Sequence, residues 1–179
     1  STWPKDEELL AGLIDNNPEW KFIFVPHEIG EEKIGKLLSL LPVGQAIRFS
    51  DISQLTPAHR ILIIDNIGML SALYQYAEVA YIGGGFGAGI HNTLEAAAFG
   101  LPVIFGPNYH KFREAKDLIA LKAGISIGNI GELDQAAGLL MNDADYRDFA
   151  GKESGNYVAN NIGATDTIAR YIIEHNTHD

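Results

Sequence analysis

Short apolar runs alternate with longer stretches of helical periodicity along most of the chain. The short runs are rich in Val, Ile and Phe and are bounded by Pro, Gly, Asn or Asp, which is typical of buried β-strands. The stretches between them repeat apolar positions every three or four residues, which predicts helices. The predicted strands are 21–25, 46–49, 61–64, 79–82, 103–105 and 125–127. The predicted helices are 6–15, 31–41, 69–76, 93–99, 111–123, 130–142 and about 144–174.

This alternation predicts an α/β fold with a parallel sheet, because parallel strands need a crossover that is usually a helix. The strands are almost continuously apolar, which favours a sheet covered on both faces. No linker or repeat divides residues 1–179, so we expect a single domain with a Rossmann-like, doubly wound sheet. A break is expected in the last helical stretch near residues 151–155. Ligands of such folds bind beyond the carboxyl ends of the strands.

The charge of the chain restricts the partners that it can bind. Asp and Glu outnumber Lys and Arg by 23 to 13, and the formal net charge is −10. A nucleic-acid interface needs a basic stripe, so neither a nucleic acid nor an anionic membrane is an expected partner of this piece. The absence of cysteine excludes disulfides and cysteine-ligated metals, and no other metal cluster stands out. The chain does not begin with Met, and we expect it to be part of a longer protein.

The most informative segment follows the strand 79–82. Residues 83–89 include five glycines, which permit positive φ and let the backbone approach a ligand closely. His91, Asn92 and Glu95 then open an alanine-rich helix. Free N–H groups at a helix start attract anions, so the segment predicts a phosphate site.

The polar residues of this segment also have structural interpretations, which the sequence leaves open. Asn92 with Glu95 three positions later is a capping-box arrangement. Alternatively, the Glu95 carboxylate binds the ribose hydroxyls of a nucleotide. His91 is either a packed loop histidine or a donor to a phosphate or sugar.

Two other loops at strand ends offer candidates. Residues 65–68 either form an Asx turn that caps the next helix or place Ile67 and Gly68 against a nucleobase. After the strand 103–105, Asn108 is expected to cap the following helix. Lys111 is either exposed to solvent or points into the ligand cleft.

Residues 83–107 resemble the donor-site motif of the 3-deoxy-D-manno-octulosonic acid (Kdo) transferases of lipopolysaccharide assembly. The similarity covers the glycine-rich turn, the His-Asn-x-Leu-Glu of residues 91–95, and the Ala-Ala, Phe-Gly, Pro and Phe-Gly-Pro that follow. Ser1-Thr2, Val25-Pro26, residues 65–70 and residues 112–115 match further family segments in the same order. The resemblance therefore covers nearly the whole chain.

The resemblance implies the C-terminal half of a GT-B glycosyltransferase, in which two Rossmann-like domains face each other across a cleft. This half would bind CMP-Kdo, from which Kdo is transferred to a lipid A precursor at the cytoplasmic face of the bacterial inner membrane. The N-terminal half, absent from this chain, would supply the acceptor site, the general base and the membrane contact. No cofactor or metal is implied. The donor-binding residues expected from the resemblance are Pro26, His27, Ile67, Gly68, Gly84, Gly85, Gly89, His91, Asn92, Glu95 and Lys111.

Several positions depart from the family's pattern. After Val-Pro the family has arginine, often followed by histidine, whereas this chain has His27. A family histidine is Trp3 here, and two motif prolines are Thr93 and Ala96. Arg48 either replaces the phosphate contact of the missing arginine or is a surface charge.

Two other functions remain compatible with these residues. A GT-B enzyme that uses a UDP-sugar, either a transferase or a UDP-N-acetylglucosamine 2-epimerase, would reuse the glycine-rich loop and the ribose-binding glutamate. A nucleotide-binding module that lost catalysis would keep the fold, and the altered segment at His27 favours it.

Overall fold

The computed structural model describes residues 1–163 and 171–173. Its α-helices, α1 to α7, are Pro4–Asn16, Glu31–Leu40, Leu70–Leu73, Thr93–Ala98, Arg113–Ala120, Ile130–Asn142 and Ala144–Asn160. Its strands, β1 to β6, are Phe22–Phe24, Ala46–Arg48, Ile61–Ile63, Ala80–Ile82, Val103–Phe105 and Gly124–Ser126. Two 3₁₀ helices lie at Phe49–Gln54 and Tyr74–Tyr76. Among these residues no helix is both long and apolar enough to span a bilayer.

All strand pairs in the described residues are parallel, and they form two three-stranded sheets. The middle strand is β3 in the first sheet, between β1 and β2, and β5 in the second, between β4 and β6. The predicted α/β class with parallel strands is therefore confirmed. Within the described part of the chain, β1 and β4 are the edge strands that face each other, but they do not pair with one another. A mainly apolar cavity of about 690 Å³ lies beside them.

Helices cover both faces of the second sheet, as a doubly wound arrangement requires. Val103 and Phe105 point into a core shared with α4 and α5, and Ile104 points into the opposite core, with α1, α2 and α6. The first sheet is covered unequally, since Ile23 on β1 is 40% exposed. The predicted helix 69–76 is only the four-residue α3 followed by a 3₁₀ turn.

The break expected near residues 151–155 is wrong, because α7 continues through them to Asn160. Gly151 is buried against the turn that follows α4, and a Cβ at Gly151 would lie 2.4 Å from the Gly100 oxygen. This glycine permits close packing of two helices and does not end one. Within the predicted stretch 144–174, residues 164–170 and 174 lie outside the described residues.

Candidate functional site

The loops that follow the strands contain the predicted donor-binding residues, except Glu95, which lies in the first turn of α4. Pro26 and His27 follow β1, Ile67 and Gly68 follow β3, residues 83–92 follow β4, and Lys111 lies in the loop after β5. Because the strands are parallel, each sheet presents these loops at its carboxyl edge.

Residues 1–3 join the edges of the two sheets. The Thr2 N–H donates to the Val25 oxygen at 2.9 Å, and the His27 N–H donates to the Thr2 oxygen at 2.8 Å. On the other side, the Ser1 oxygen lies so close to Gly83 that a Cβ there would be 2.1 Å away. The carboxyl ends of β1 and β4 are therefore neighbours, joined through the Ser1–Thr2 backbone.

The glycine-rich loop folds back on itself around Gly84. The Gly84 oxygen accepts from the N–H groups of Gly87, at 2.9 Å, and Gly89, at 3.3 Å, and the His91 N–H donates to the Gly83 oxygen at 3.0 Å. Gly84 and Gly89 have φ angles of +90° and +141°, which side chains rarely tolerate. The local sequence therefore dictates one tight loop that delivers His91 to the edge of the second sheet.

The loop that follows β5 supports this glycine-rich loop from one side. A Cβ at Gly85 would lie 2.6 Å from the Cα of Gly106, so the two backbones are in direct contact. The Asn108 N–H donates to the Gly85 oxygen at 2.9 Å, and its side-chain Nδ2 donates to the Gly87 oxygen at 2.8 Å. Asn108 consequently does not cap α5, which was the sequence expectation; Phe112 occupies that cap position.

Asn92 caps α4, in agreement with one interpretation of its sequence. Its Oδ1 accepts from the Leu94 N–H at 2.9 Å, and its Nδ2 donates to Glu95 Oε1 at 3.1 Å. Asn129 and Glu132 make the same two kinds of contact at the start of α6. There, however, the second carboxylate oxygen also accepts from the Gly128 N–H, whereas Glu95 Oε2 has no partner in the described residues and is exposed. The cap alone therefore does not account for the whole of the Glu95 carboxylate.

A buried carboxylate that the sequence analysis did not assign to the site holds the glycine-rich loop in place. Asp6 is 1% exposed. Its Oδ2 accepts from the N–H groups of Trp3 and Gly84, and its Oδ1 accepts from the Tyr81 hydroxyl, each at 2.9 Å. Burial raises the pKa of Tyr81, and the negative charge of Asp6 raises it further. The sequence signal is weak, because an acidic residue in the first turn of a helix is already explained by the helix dipole.

Three aromatic rings stack beside the loop. The ring centroids of Trp3 and His27 are 4.2 Å apart, and those of His27 and His91 are 5.3 Å apart. The Trp3 Nε1–H also donates to His91 Nε2 at 2.9 Å. Burial lowers the pKa of His91 and the charge of His27 lowers it further, while Asp6 acts in the opposite direction. The fold thus brings together two predicted site residues and Trp3, a position that departs from the family's pattern.

The loop after β3 projects a hydrophobic side chain into solvent. Ile67 is 88% exposed, and Gly68 has a φ of +94°. Asp65 accepts from the Ser50 N–H at 3.0 Å and from its hydroxyl at 2.6 Å. Burial acts to raise the pKa of Asp65, but the hydrogen bonds from Ser50 outweigh it and the pKa is lowered. Asp65 therefore ties this loop to the 3₁₀ helix that follows β2, and it does not cap α3.

The two candidate cations differ in their contacts. Arg48 Nη1 donates to both carboxylate oxygens of Glu31, at 2.9 and 2.8 Å, so its charge is already paired at the start of α2. Lys111 is exposed and makes no ion pair with any residue that the structure describes. In the same described residues, no three His, Asp or Glu side chains come together in a way that could hold a metal ion.

Comparisons with known proteins identify relatives of the chain. No protein-family profile matches it. The 3-deoxy-D-manno-octulosonic acid transferase of Chlamydia trachomatis is 30% identical over 165 residues, which are 85% of this chain and 36% of that protein. The enzyme of the same name from Rickettsia bellii is 31% identical over 173 residues, which are 90% of this chain and 39% of that protein. The chain thus spans little more than a third of the length of these relatives.

A solved structure shares the fold. The C-terminal CMP-Kdo binding domain of WaaA from Acinetobacter baumannii aligns with a TM-score of 0.72 at 20% identity, over 89% of this chain and 86% of that domain. The resemblance recognised in the sequence is confirmed: the chain is similar to 3-deoxy-D-manno-octulosonic acid transferases over most of its own length and has the fold of a C-terminal GT-B domain.

Proposed function

We propose that this chain is the donor-binding domain of a Kdo transferase and that it binds CMP-Kdo at residues 83–95. One observation carries the proposal. The glycine-rich loop is held by Asp6 and Asn108, yet the N–H groups of Phe86, Ala88 and Asn92 have no acceptor among the described residues. Fixed, unpaired backbone donors on a glycine-rich turn suit an anionic phosphate.

The neighbouring side chains suit the other groups of the donor. Glu95 Oε2 is exposed and makes no hydrogen bond to any residue that the structure describes, and in the proposal it accepts from the ribose hydroxyls. In the proposal Ile67 and Gly68, in the loop after β3, contact the cytosine, to which the exposed Ile67 side chain offers an apolar surface. Lys111 pairs with the carboxylate of Kdo, while Pro26 and His27 line the cleft. Arg48 takes no part, since Glu31 already neutralises it.

The chemical role of the domain is to stabilise the leaving group. When the bond between Kdo and the CMP phosphate breaks, negative charge increases on the phosphate oxygen. N–H donors that are already oriented toward that oxygen stabilise the transition state without reorganising. The acceptor hydroxyl forms the new bond to Kdo, and its proton passes to a general base in the N-terminal half.

The remaining functions fall to the part of the protein outside this chain. In the proposal the N-terminal half binds the lipid A precursor and contacts the cytoplasmic face of the bacterial inner membrane. The donor is a substrate, and no separate cofactor takes part. The 179-residue chain alone therefore binds donor without transferring sugar.

A transfer assay tests this division of labour. The full-length protein that carries this domain should transfer Kdo from CMP-Kdo to a lipid A precursor, and the purified 179-residue chain should not. Transfer by the isolated chain would contradict the assignment of the general base to the other half. A full-length protein that is folded and binds CMP but transfers nothing would favour the module that lost catalysis.

A further inference from the structure

The indole of Trp3 determines which nitrogen of His91 carries the proton. An indole N–H can only donate, and Trp3 Nε1 lies 2.9 Å from His91 Nε2. His91 Nε2 must therefore accept this hydrogen bond. A neutral imidazole that accepts at Nε2 carries its hydrogen on Nδ1.

Other contacts hold the indole in this position. The Trp3 backbone N–H donates to Asp6, and the same carboxylate oxygen accepts from the Gly84 N–H. One buried group thus fixes both Trp3 and the glycine-rich loop. The stack with His27 holds the plane of the indole, and His27 in turn stacks on His91.

The second nitrogen of His91 is left for a ligand. His91 Nδ1 makes no hydrogen bond within residues 1–163 and 171–173, although its ring is partly buried beside Gly84. Burial lowers the pKa of His91, so the ring is neutral near neutral pH. The result is an N–H donor with a fixed position and no hydrogen-bond acceptor among the described residues.

We infer that Trp3 is a positioning residue, which holds the proton of His91 on Nδ1 so that Nδ1 donates it to the phosphate of the donor nucleotide. The inference rests on the proposed function, because it gives His91 the phosphate of CMP as its acceptor. It also accounts for two departures from the family's pattern. Where the family has an arginine after Val-Pro, this chain has His27, and where the family has a histidine, it has Trp3. These two rings stack and orient the neutral ring of His91, which donates from Nδ1.

Nuclear magnetic resonance of the ¹⁵N-labelled chain reads the tautomer directly. At mildly alkaline pH the His91 ring should show a protonated Nδ1 and an unprotonated Nε2. Trp3→Phe keeps a ring on His27 but removes the indole N–H, and it should shift the His91 ring toward the tautomer protonated at Nε2. Trp20→Phe, a matched substitution at a tryptophan that contacts Arg147, should leave the His91 signals unchanged. A wild-type ring protonated at Nε2 would overturn the inference.

Calorimetry with CMP measures the consequence for binding. Trp3→Phe should weaken CMP binding by about three- to tenfold, the range expected for one hydrogen bond, and Trp20→Phe should not. Cytidine, which has no phosphate, should bind both variants as it binds the wild type. Equal CMP affinity of Trp3→Phe and wild type would overturn the inference.

A second pair of variants replaces His91 itself. An asparagine amide nitrogen at position 91 takes the place of Nδ1, and a glutamine amide nitrogen takes the place of Nε2. His91→Asn should therefore retain more CMP affinity than His91→Gln, and Trp3→Phe should have little further effect on His91→Asn. The reverse order would contradict the role of Nδ1. If the wild-type chain binds no CMP, the proposed function fails and the phosphate role of His91 fails with it, while the tautomer spectrum still tests the effect of Trp3.

Discussion

The carboxylate of Asp6 and the backbone N–H of Gly84, 78 positions apart in the sequence, are joined by a buried hydrogen bond of 2.9 Å. Because the same oxygen also accepts from the Trp3 N–H, one side chain locates both the glycine-rich loop and the aromatic stack. The start of α1 is therefore a structural part of the candidate donor site.

Replacing Asp6 should destabilise the fold and weaken nucleotide binding together. Asp6→Ala leaves three donors, two of them backbone N–H groups, without an acceptor, and the free energy of unfolding should fall by about 3 kcal/mol or more. Asp6→Asn keeps an acceptor oxygen and should fall between Asp6→Ala and the wild type. Urea denaturation measures these differences, with Asp134→Ala, an exposed carboxylate on α6, as the control. Equal stability of Asp6→Ala and Asp134→Ala would show that the three bonds contribute nothing.

Glu95 and Glu132 provide a matched test of the ribose contact. Both carboxylates accept from the asparagine that caps their own helix. Glu95→Ala and Glu132→Ala should therefore each change stability by less than about 1 kcal/mol. CMP affinity should fall by roughly tenfold or more in Glu95→Ala only, because that variant alone loses a charge-assisted bond to the ribose. Calorimetry that shows the same affinity for both variants would leave Glu95 with the role of a helix cap.

Gly85 and Gly35 should respond to alanine in opposite directions. A Cβ at Gly85 would collide with the Gly106 backbone at 2.6 Å, so Gly85→Ala should lower the free energy of unfolding by about 1–3 kcal/mol. Gly35 lies inside α2 with open space around it, and Gly35→Ala should stabilise the protein by about 0.5–1 kcal/mol. Chemical denaturation of both variants checks the two signs, and a Gly85→Ala protein as stable as the wild type would contradict the close contact of the two loops.

Helices and strands whose two ends are marked by neighbouring residues in the sequence have the bounds predicted for them. The strand Val103–Phe105 and the helix Ile130–Asn142 have their predicted bounds, because an uninterrupted apolar run marks the strand and Asn129 caps the helix. Gly151 and Asn108 were misinterpreted because each looks like a local signal but serves a distant contact, with Gly100 and Gly87 respectively.

In the candidate site too, some features could be predicted from the sequence and others could not. The glycine-rich loop and His91 were predicted from a contiguous segment and a family resemblance. The bonds from Asp6 to Gly84 and from Trp3 to His91 join distant parts of the sequence, and no local pattern indicates them. Local periodicity cannot predict such contacts, since they exist only after the two sheets have come together.

The stability of the chain should decrease on mild acidification in a way that depends on His91. Burial places the folded pKa of His91 below its ordinary value of 6.5. As the pH falls from 6.5 toward the lower pKa of the folded state, the His91 side chain of the unfolded chain binds a proton before that of the folded chain does. This difference favours unfolding. The contribution is thus fully present above pH 6.5 and is lost as the pH falls through the lower, folded pKa.

Thermal unfolding between neutral and mildly acidic pH checks this sign. The midpoint of His91→Asn, which does not titrate, should fall less than that of the wild type. His110→Asn, at an exposed histidine outside the stack, should follow the wild type. The same pH dependence in His91→Asn and the wild type would contradict a lowered pKa of His91.

In the proposal, residues 83–95 bind the nucleotide of a CMP-sugar. Isothermal titration calorimetry of the 179-residue chain with CMP and, separately, with UDP tests it most directly. CMP should bind saturably and UDP more weakly, and the Glu95→Ala variant should lose CMP affinity. A clear preference for UDP would rule out a CMP-sugar site and would favour a GT-B enzyme that uses a UDP-sugar.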